Sequence, residues 1–288
     1  MNSERLPGKD GLDSPEQPKR NLWIAVMGVP ASGKSTLAEV VSERLGFTHV
    51  PELKVEDETL FTRYYEDPRK YSFAMQSIFL FNKWQQTQGS AAVGIPGIKD
   101  LLAQGPVISQ PPIWQDALYA RARMGRNSEF GKYEEFFKGL TSVEAFPNPD
   151  LVVYMRVSFE NMLFRIRQRA EQDPGRAVEL NEKRSYWRKL WKFHEVWVEK
   201  NLGRMRIAVI NGDNFNFWRF ANNEVAKETL LQEFLNIARY HLVGPLGREP
   251  SPPENLVIPD VILTHRPPVR SYDITPGLNP EQKALRRR

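Results

Sequence analysis

The sequence predicts an α/β protein with one parallel sheet sandwiched between layers of helices. Two observations carry that prediction. Short apolar runs alternate with longer amphipathic stretches, the rhythm of strand–helix–strand units. A glycine-rich loop joins the first apolar run to the first amphipathic stretch, which is where such units place a ligand-binding turn. Residues 1–20 mix acidic and basic side chains with Pro7, Pro15 and Pro18 and read as a disordered leader. Leu22–Met27 is a continuous apolar run, as expected of a strand buried on both faces. Lys34–Leu45 follows as a helix, then Phe47–Val50 as a strand ending in Pro51-Glu52. Tyr71–Gln86 reads as a helix and Pro106–Ser109 as a strand. Leu151–Val157 and Ile207–Ile210 complete five strands, with helical patterns at Phe159–Glu171 and Glu179–Asn201 between them. In the last helix, Glu224–Tyr240, the residues Leu230, Phe234 and Ile237 fall on one face. Residues 21–242 thus form the body, and residues 243–288, with nine of the 22 prolines, form an extended tail.

Composition removes several classes of chemistry. The 288-residue chain has no cysteine, which excludes disulfides, a thiol nucleophile, a thiolate zinc site and an iron–sulfur cluster. Its four histidines form no HExxH pair, which argues against a zinc hydrolase. The formal charge is +5, with 40 Lys and Arg against 35 Asp and Glu, a mild basicity suited to an anionic ligand such as a phosphate. Nucleic acid is compatible with that charge but not favoured by it. No run of about 18 apolar residues is present, so no membrane insertion is expected. The leader lacks the apolar core of a secretory signal, and cytoplasm is the default expectation.

The strongest motif is Gly28-Val29-Pro30-Ala31-Ser32-Gly33-Lys34-Ser35-Thr36, a full GxxxxGK[ST] match between a strand and a helix. Glycines let the backbone wrap closely around phosphate oxygens, while backbone N–H groups and the helix N-terminus present positive charge. Lys34 is placed to reach the outer phosphates and the Ser35 hydroxyl to ligate Mg²⁺. The motif points to a nucleoside triphosphate, with ATP and Mg²⁺ the expected cofactors, and together with the strand–helix alternation it gives a P-loop NTPase-type three-layer α/β/α fold. Glu52, at a strand's carboxyl end near this loop, is a candidate proton acceptor for an attacking hydroxyl. By itself it reads more readily as a solvated loop glutamate.

Taken in order, further segments resemble the deoxynucleoside kinase family across about residues 22–240. The resemblance implies a helical lid, Glu52 as general base, and Tyr65, eleven residues before Gln76, as a contact to the sugar 3′-hydroxyl. It implies that Gln76 pairs with the nucleobase and that Asp116, in Ile113-Trp114-Gln115-Asp116, helps position that base. The resemblance makes Arg165, Arg169 and Arg176 the lid cations and Glu179 a second sugar contact. Tyr186 and His194-Glu195-Val196-Trp197 keep the family's spacing. Asp213, Asn214 and Phe215 fall in the loop that packs against the adenine of the phosphate donor. The family also implies a homodimer.

Three departures stand out. Gln110-Pro111-Pro112 occupies the place of an acidic residue, an arginine and a hydroxyl residue, so Pro111 removes a cation. Arg121, Arg123 or Arg126 is a candidate to replace it. Lys83 stands where the family has a base-contacting arginine, and lysine lacks the planar fork. The lid is about five residues longer and includes Asp173-Pro174-Gly175. Three functions fit this pattern. The leading one is an ATP- and Mg²⁺-dependent kinase acting on the 5′-hydroxyl of a nucleoside. A second is a related kinase acting on a modified nucleoside, a nucleotide or a base within DNA. A third is a non-catalytic nucleotide-binding or structural subunit with the same fold.

Overall fold

The computed structural model describes residues 19–53, 58–91, 94–125, 127–142, 146–215, 217, 223–244 and 252–265. The leader before residue 19, Arg126 and the terminal Arg286-Arg287-Arg288 lie outside the described residues. In chain order the strands are β1 (Arg20–Asn21), β2 (Trp23–Met27), β3 (Thr48–Val50), β4 (Val107–Ser109), β5 (Leu151–Arg156), β6 (Ile207–Asn211) and β7 (Leu256–Val257). The α-helices are α1 (Lys34–Leu45), α2 (Glu58–Glu66), α3 (Pro68–Gln88), α4 (Ile98–Leu102), α5 (Trp114–Met124) and α6 (Ser128–Thr141). They continue with α7 (Phe159–Gln172), α8 (Arg184–Asn201), α9 (Glu224–Val243) and α10 (Asp260–Thr264).

Five strands form one parallel sheet in the order β3-β4-β2-β5-β6. The five strands expected from the apolar runs are these five, each within about a residue of its expected end. Strand β2 is buried along its whole length because it lies centrally and its two faces meet different layers. Ile24 and Val26 pack with α1 and α9 through Leu37, Val41, Phe234 and Leu235. Met27, with Val152 and Tyr154 of β5, faces the opposite layer, which includes Val198 of α8 and Leu118 of α5. Helices α3, α5 and α6 close a further cluster around Leu80, Ala120 and Tyr133.

The expected helix over Glu179–Asn201 divides. Residues Pro174–Asn181 form 3₁₀ turns, Lys183 is extended with ψ of 137°, and only Arg184–Asn201 is α-helical. Glu179 therefore lies in the lid segment before α8, where its buried carboxylate receives two arginines. The expected Tyr71–Gln86 helix is longer, because Asp67 caps it and Pro68 starts it at a position needing no N–H donor. Helices α2, α4, α5 and α6 have no counterpart in the sequence expectation.

Part of the tail joins the body. β7 pairs in parallel with β1, Arg20 opposite Leu256 and Asn21 opposite Val257. Ile262 of α10 is fully buried against the α1–α9 layer.

Candidate active site

The site is assembled at the carboxyl ends of the parallel strands, where an open α/β sheet presents ligands. β2 runs into the phosphate loop. Gly28 adopts φ of 153°, and a Cβ there would stand 2.6 Å from Ser32 Oγ and 2.7 Å from the Met155 carbonyl. Gly33, with φ of 95°, caps α1 without a side-chain partner for the helix N–H groups. Ala31 takes φ of 58°, a left-handed conformation that non-glycine residues rarely adopt. Among the described residues, Ser32 Oγ is buried without a hydrogen-bond partner. The loop thus presents donors that the rest of the described protein leaves free.

Lys34 Nζ donates to the Val29 carbonyl at 2.9 Å. Burial pulls its pKa down to about 8, against the opposing pull of Glu52, while Arg169, Lys83 and Arg176 push it down further. An anion entering the loop would reverse that balance.

Residues Pro30 through Thr36, Glu52, Tyr65, Gln76, Asp116, Arg165, Arg169, Arg176, Glu179, Asp213, Asn214 and Phe215 line one cleft. Gly28 and Val29 form the root of its loop. Glu52 extends from the end of β3, and its backbone is braced by Gln86 Nε2 donating to the Pro51 carbonyl at 2.5 Å. Gln76 Nε2 donates to Tyr64 Oη at 2.9 Å, and Arg123 Nε donates to the same hydroxyl at 2.9 Å. Among the described residues this leaves Gln76 Oε1 buried and without a partner. Asp116 Oδ2 is likewise unpartnered among the described residues. Burial pushes the Asp116 carboxyl up to about 7, with Lys83 opposing and Glu52 adding to the rise.

Lys83 stands behind the cleft wall rather than on it. It lines a small adjoining cavity with Gln110 and Pro111, and its Nζ donates to the Gln110 carbonyl at 3.3 Å. Burial lowers its pKa, while Glu52 and Asp116 hold it up. The three lid arginines are engaged. Arg169 and Arg176 both pair with Glu179. Arg165 donates to the Gly212 and Phe215 carbonyls at 2.8 and 2.7 Å, and its guanidinium lies 5.0 Å from the Phe217 ring centroid. Asp213 accepts the Ser158 N–H with both carboxylate oxygens, and Phe215 is buried in stacked contact with Phe217. These contacts tie the loop after β6 to α7.

Of the downstream arginines, Arg123 is not free. It pairs with Glu182 and lies against the rings of Tyr64, Tyr65 and Tyr186. Arg121 lies over Phe193, 5.2 Å from its centroid. His194 is buried and neutral, its pKa pulled down to about 3 by burial, with Nδ1 2.9 Å from the Leu190 carbonyl. Glu195 accepts Tyr154 Oη at 2.8 Å and pairs with Arg156.

Sequence reasoning missed Tyr64, Tyr119, Gln115 and Phe217. Tyr119 lines the cleft from α5, and its hydroxyl pKa is raised well above the usual value by burial and then by Glu52. A Cβ on Gly33 would collide with the Phe217 ring, so that ring lies directly over the phosphate loop. The adjacent Tyr64-Tyr65 pair was the available signal for Tyr64. The others are defined by partners far away in the chain.

The family model for deoxynucleoside kinases matches residues 24–237. A deoxyadenosine/deoxycytidine kinase of Bacillus subtilis is 28% identical over 184 residues, 62% of this chain and 77% of that protein. A deoxyguanosine kinase of Lactobacillus johnsonii is 29% identical over 216 residues, 73% of this chain and 89% of that protein. Among solved structures, deoxyadenosine kinase from M. mycoides with bound dATP superposes with a TM-score of 0.58 at 24% identity. That match spans 75% of this chain and all of the other, a likeness of fold. The chain belongs to the deoxynucleoside kinase family and is a nucleoside kinase.

Proposed function

We propose that the protein transfers the γ-phosphoryl group of ATP to the 5′-hydroxyl of a deoxynucleoside, with Glu52 as the general base. The observation that carries this reading is the arrangement of one cleft. A carboxylate at the end of β3 shares it with the phosphate-loop lysine, and Gln76 and Asp116 turn unpartnered oxygens into its wall.

The phosphate loop supplies N–H donors, the free end of α1 and the Lys34 ammonium, which together match a triphosphate. Lys34 would stabilise the charge that builds on the transferring phosphoryl group. Glu52 accepts the proton of the attacking hydroxyl. Gln76 Oε1 and Asp116 Oδ2 offer acceptors to a base edge carrying N–H groups. Tyr65 and Glu179 stand at the sugar end of the cleft. Among the described residues no group of three His, Cys, Asp or Glu is placed to hold a metal ion. Mg²⁺ would accordingly bind through Ser35 Oγ, phosphate oxygens and water, a donor set that suits it, and would neutralise charge between the phosphates. The lid cations Arg169 and Arg176 are held by Glu179 and would turn to the phosphates when both substrates are present.

Glu52→Gln tests the assignment. Binding of a non-hydrolysable ATP analogue should stay unchanged, while kcat falls roughly 10²–10⁴-fold, the usual worth of a positioned base. A normal kcat would remove Glu52 from the mechanism.

A further inference from the structure

Helix α5 contributes two consecutive residues, Gln115 and Asp116, to the cleft. Gln115, the earlier of the two and buried, points its carboxamide oxygen at the start of the phosphate loop, where Oε1 accepts the Gly28 N–H at 2.8 Å. The two partners are 87 residues apart in the chain.

Gly28 has no side chain to restrain it, and glycine has the least restricted backbone of any residue. Its φ of 153° sets the direction in which the loop leaves β2. One residue on, the Val29 carbonyl receives Lys34 Nζ at 2.9 Å. A single side chain on the acceptor wall therefore fixes the first peptide of the loop, and that peptide leads into the carbonyl on which Lys34 rests. An isolated N–H at this buried point would also cost free energy if left unpaired.

We propose that Gln115 is a positioning residue that locks the phosphate loop, and through it Lys34, to the acceptor wall. The proposal rests on the nucleoside kinase reading for its kinetic arm and on nucleotide binding alone for its calorimetric arm.

Three variants test it: Gln115→Leu, Gln115→Asn and Gln115→Glu. Leucine removes the acceptor, asparagine withdraws it by one methylene, and glutamate keeps an oxygen within reach. Titration calorimetry with a non-hydrolysable ATP analogue and Mg²⁺ should show Kd raised about tenfold or more for Leu and Asn, and within about threefold of wild type for Glu. KM for ATP should follow Kd, while KM for the nucleoside changes less than about threefold. If Leu does not fold, Asn decides. The proposal is overturned if Leu and Asn bind the analogue as wild type does. It is also overturned if both KM values rise together, or if Glu loses as much as Leu. A wild-type protein that binds the analogue but phosphorylates no nucleoside would remove the kinase reading and leave the calorimetric arm intact.

Discussion

Asp116 has a protonation state set by its surroundings, and that makes it measurable. Burial holds its proton on up to about pH 7, whereas the unperturbed value is 3.8. Between those limits the folded protein binds more protons at this site than the unfolded chain. This carboxyl therefore weakens folding as pH rises through that window. Asp116→Asn removes the contribution. The melting temperature of the variant relative to wild type should rise between about pH 5 and about pH 8. A difference that stays constant with pH would contradict the assignment. Lys83 belongs to the same account. It faces Asp116 and Glu52 from behind the wall, so its charge steadies two carboxylates rather than reading a base edge directly. Gln76 shows the same economy. The chain from Glu182 through Arg123 and Tyr64 fixes its amide, so that among the described residues Oε1 has no partner.

Elements explain what the pattern of residues revealed and what it hid. The phosphate loop was legible because all its determinants lie within nine consecutive residues between a strand and a helix. Strands β2, β4 and β5 were legible because burial on both faces demands continuous apolar runs, whereas the edge strand β3 is partly exposed and shorter than the Phe47–Val50 run that marked it. Helices α3 and α5 bury the polar residues Gln76, Gln86, Gln115 and Asp116, and with α6 they bury apolar residues against each other. Helix α5 carries no single apolar stripe, whereas α6 does carry one, Phe130, Tyr133, Phe137 and Leu140, which the sequence reading did not single out. The break before α8 was hidden for a related reason. The Arg169 and Arg176 pairs to Glu179 hold the chain in 3₁₀ turns, and that tertiary contact overrides local helix preference. At the start of the body, Asp150 accepts two bonds from Arg20 and the N–H of Trp23 at 2.9 Å. Arg20 is partly exposed, so its pair is worth little, but the Trp23 N–H is buried. Asp150→Ala should therefore lower stability by about 1–3 kcal/mol, and Arg20→Ala by under about 1 kcal/mol, as read by denaturant unfolding. Equal losses in the two variants would show that the ion pair, not the backbone bond, is what matters.

The whole molecule is a kinase body with an added clasp. The family match ends at residue 237, yet β7 and α10 lie beyond it and pack on the body. The sequence pattern marked that region as proline-rich with short apolar stretches. It did not disclose that Leu256–Val257 pairs with Arg20–Asn21, because two-residue strands carry no periodicity. The site's long-range ties were hidden in the same way. Gln115 to Gly28 and Arg123 to Glu182 join residues 87 and 59 apart, and only the folded sheet brings them together. What motif order did convey was that the phosphate loop, Glu52, Gln76, Asp116 and the lid arginines share one cleft.

The central claim is that this cleft moves a phosphoryl group onto a nucleoside, and it is open to one direct measurement. Purified protein would be incubated with γ-labelled ATP, Mg²⁺ and each deoxynucleoside and ribonucleoside in turn, with duplex DNA as a further acceptor and Lys34→Ala as control. Label is expected at the 5′ position of one or more deoxynucleosides. The Lys34→Ala protein should lose roughly 10²–10³-fold or more, the scale expected when a charge-stabilising donor is removed. Label in DNA alone, or no label in any nucleoside while the ATP analogue still binds, would contradict it.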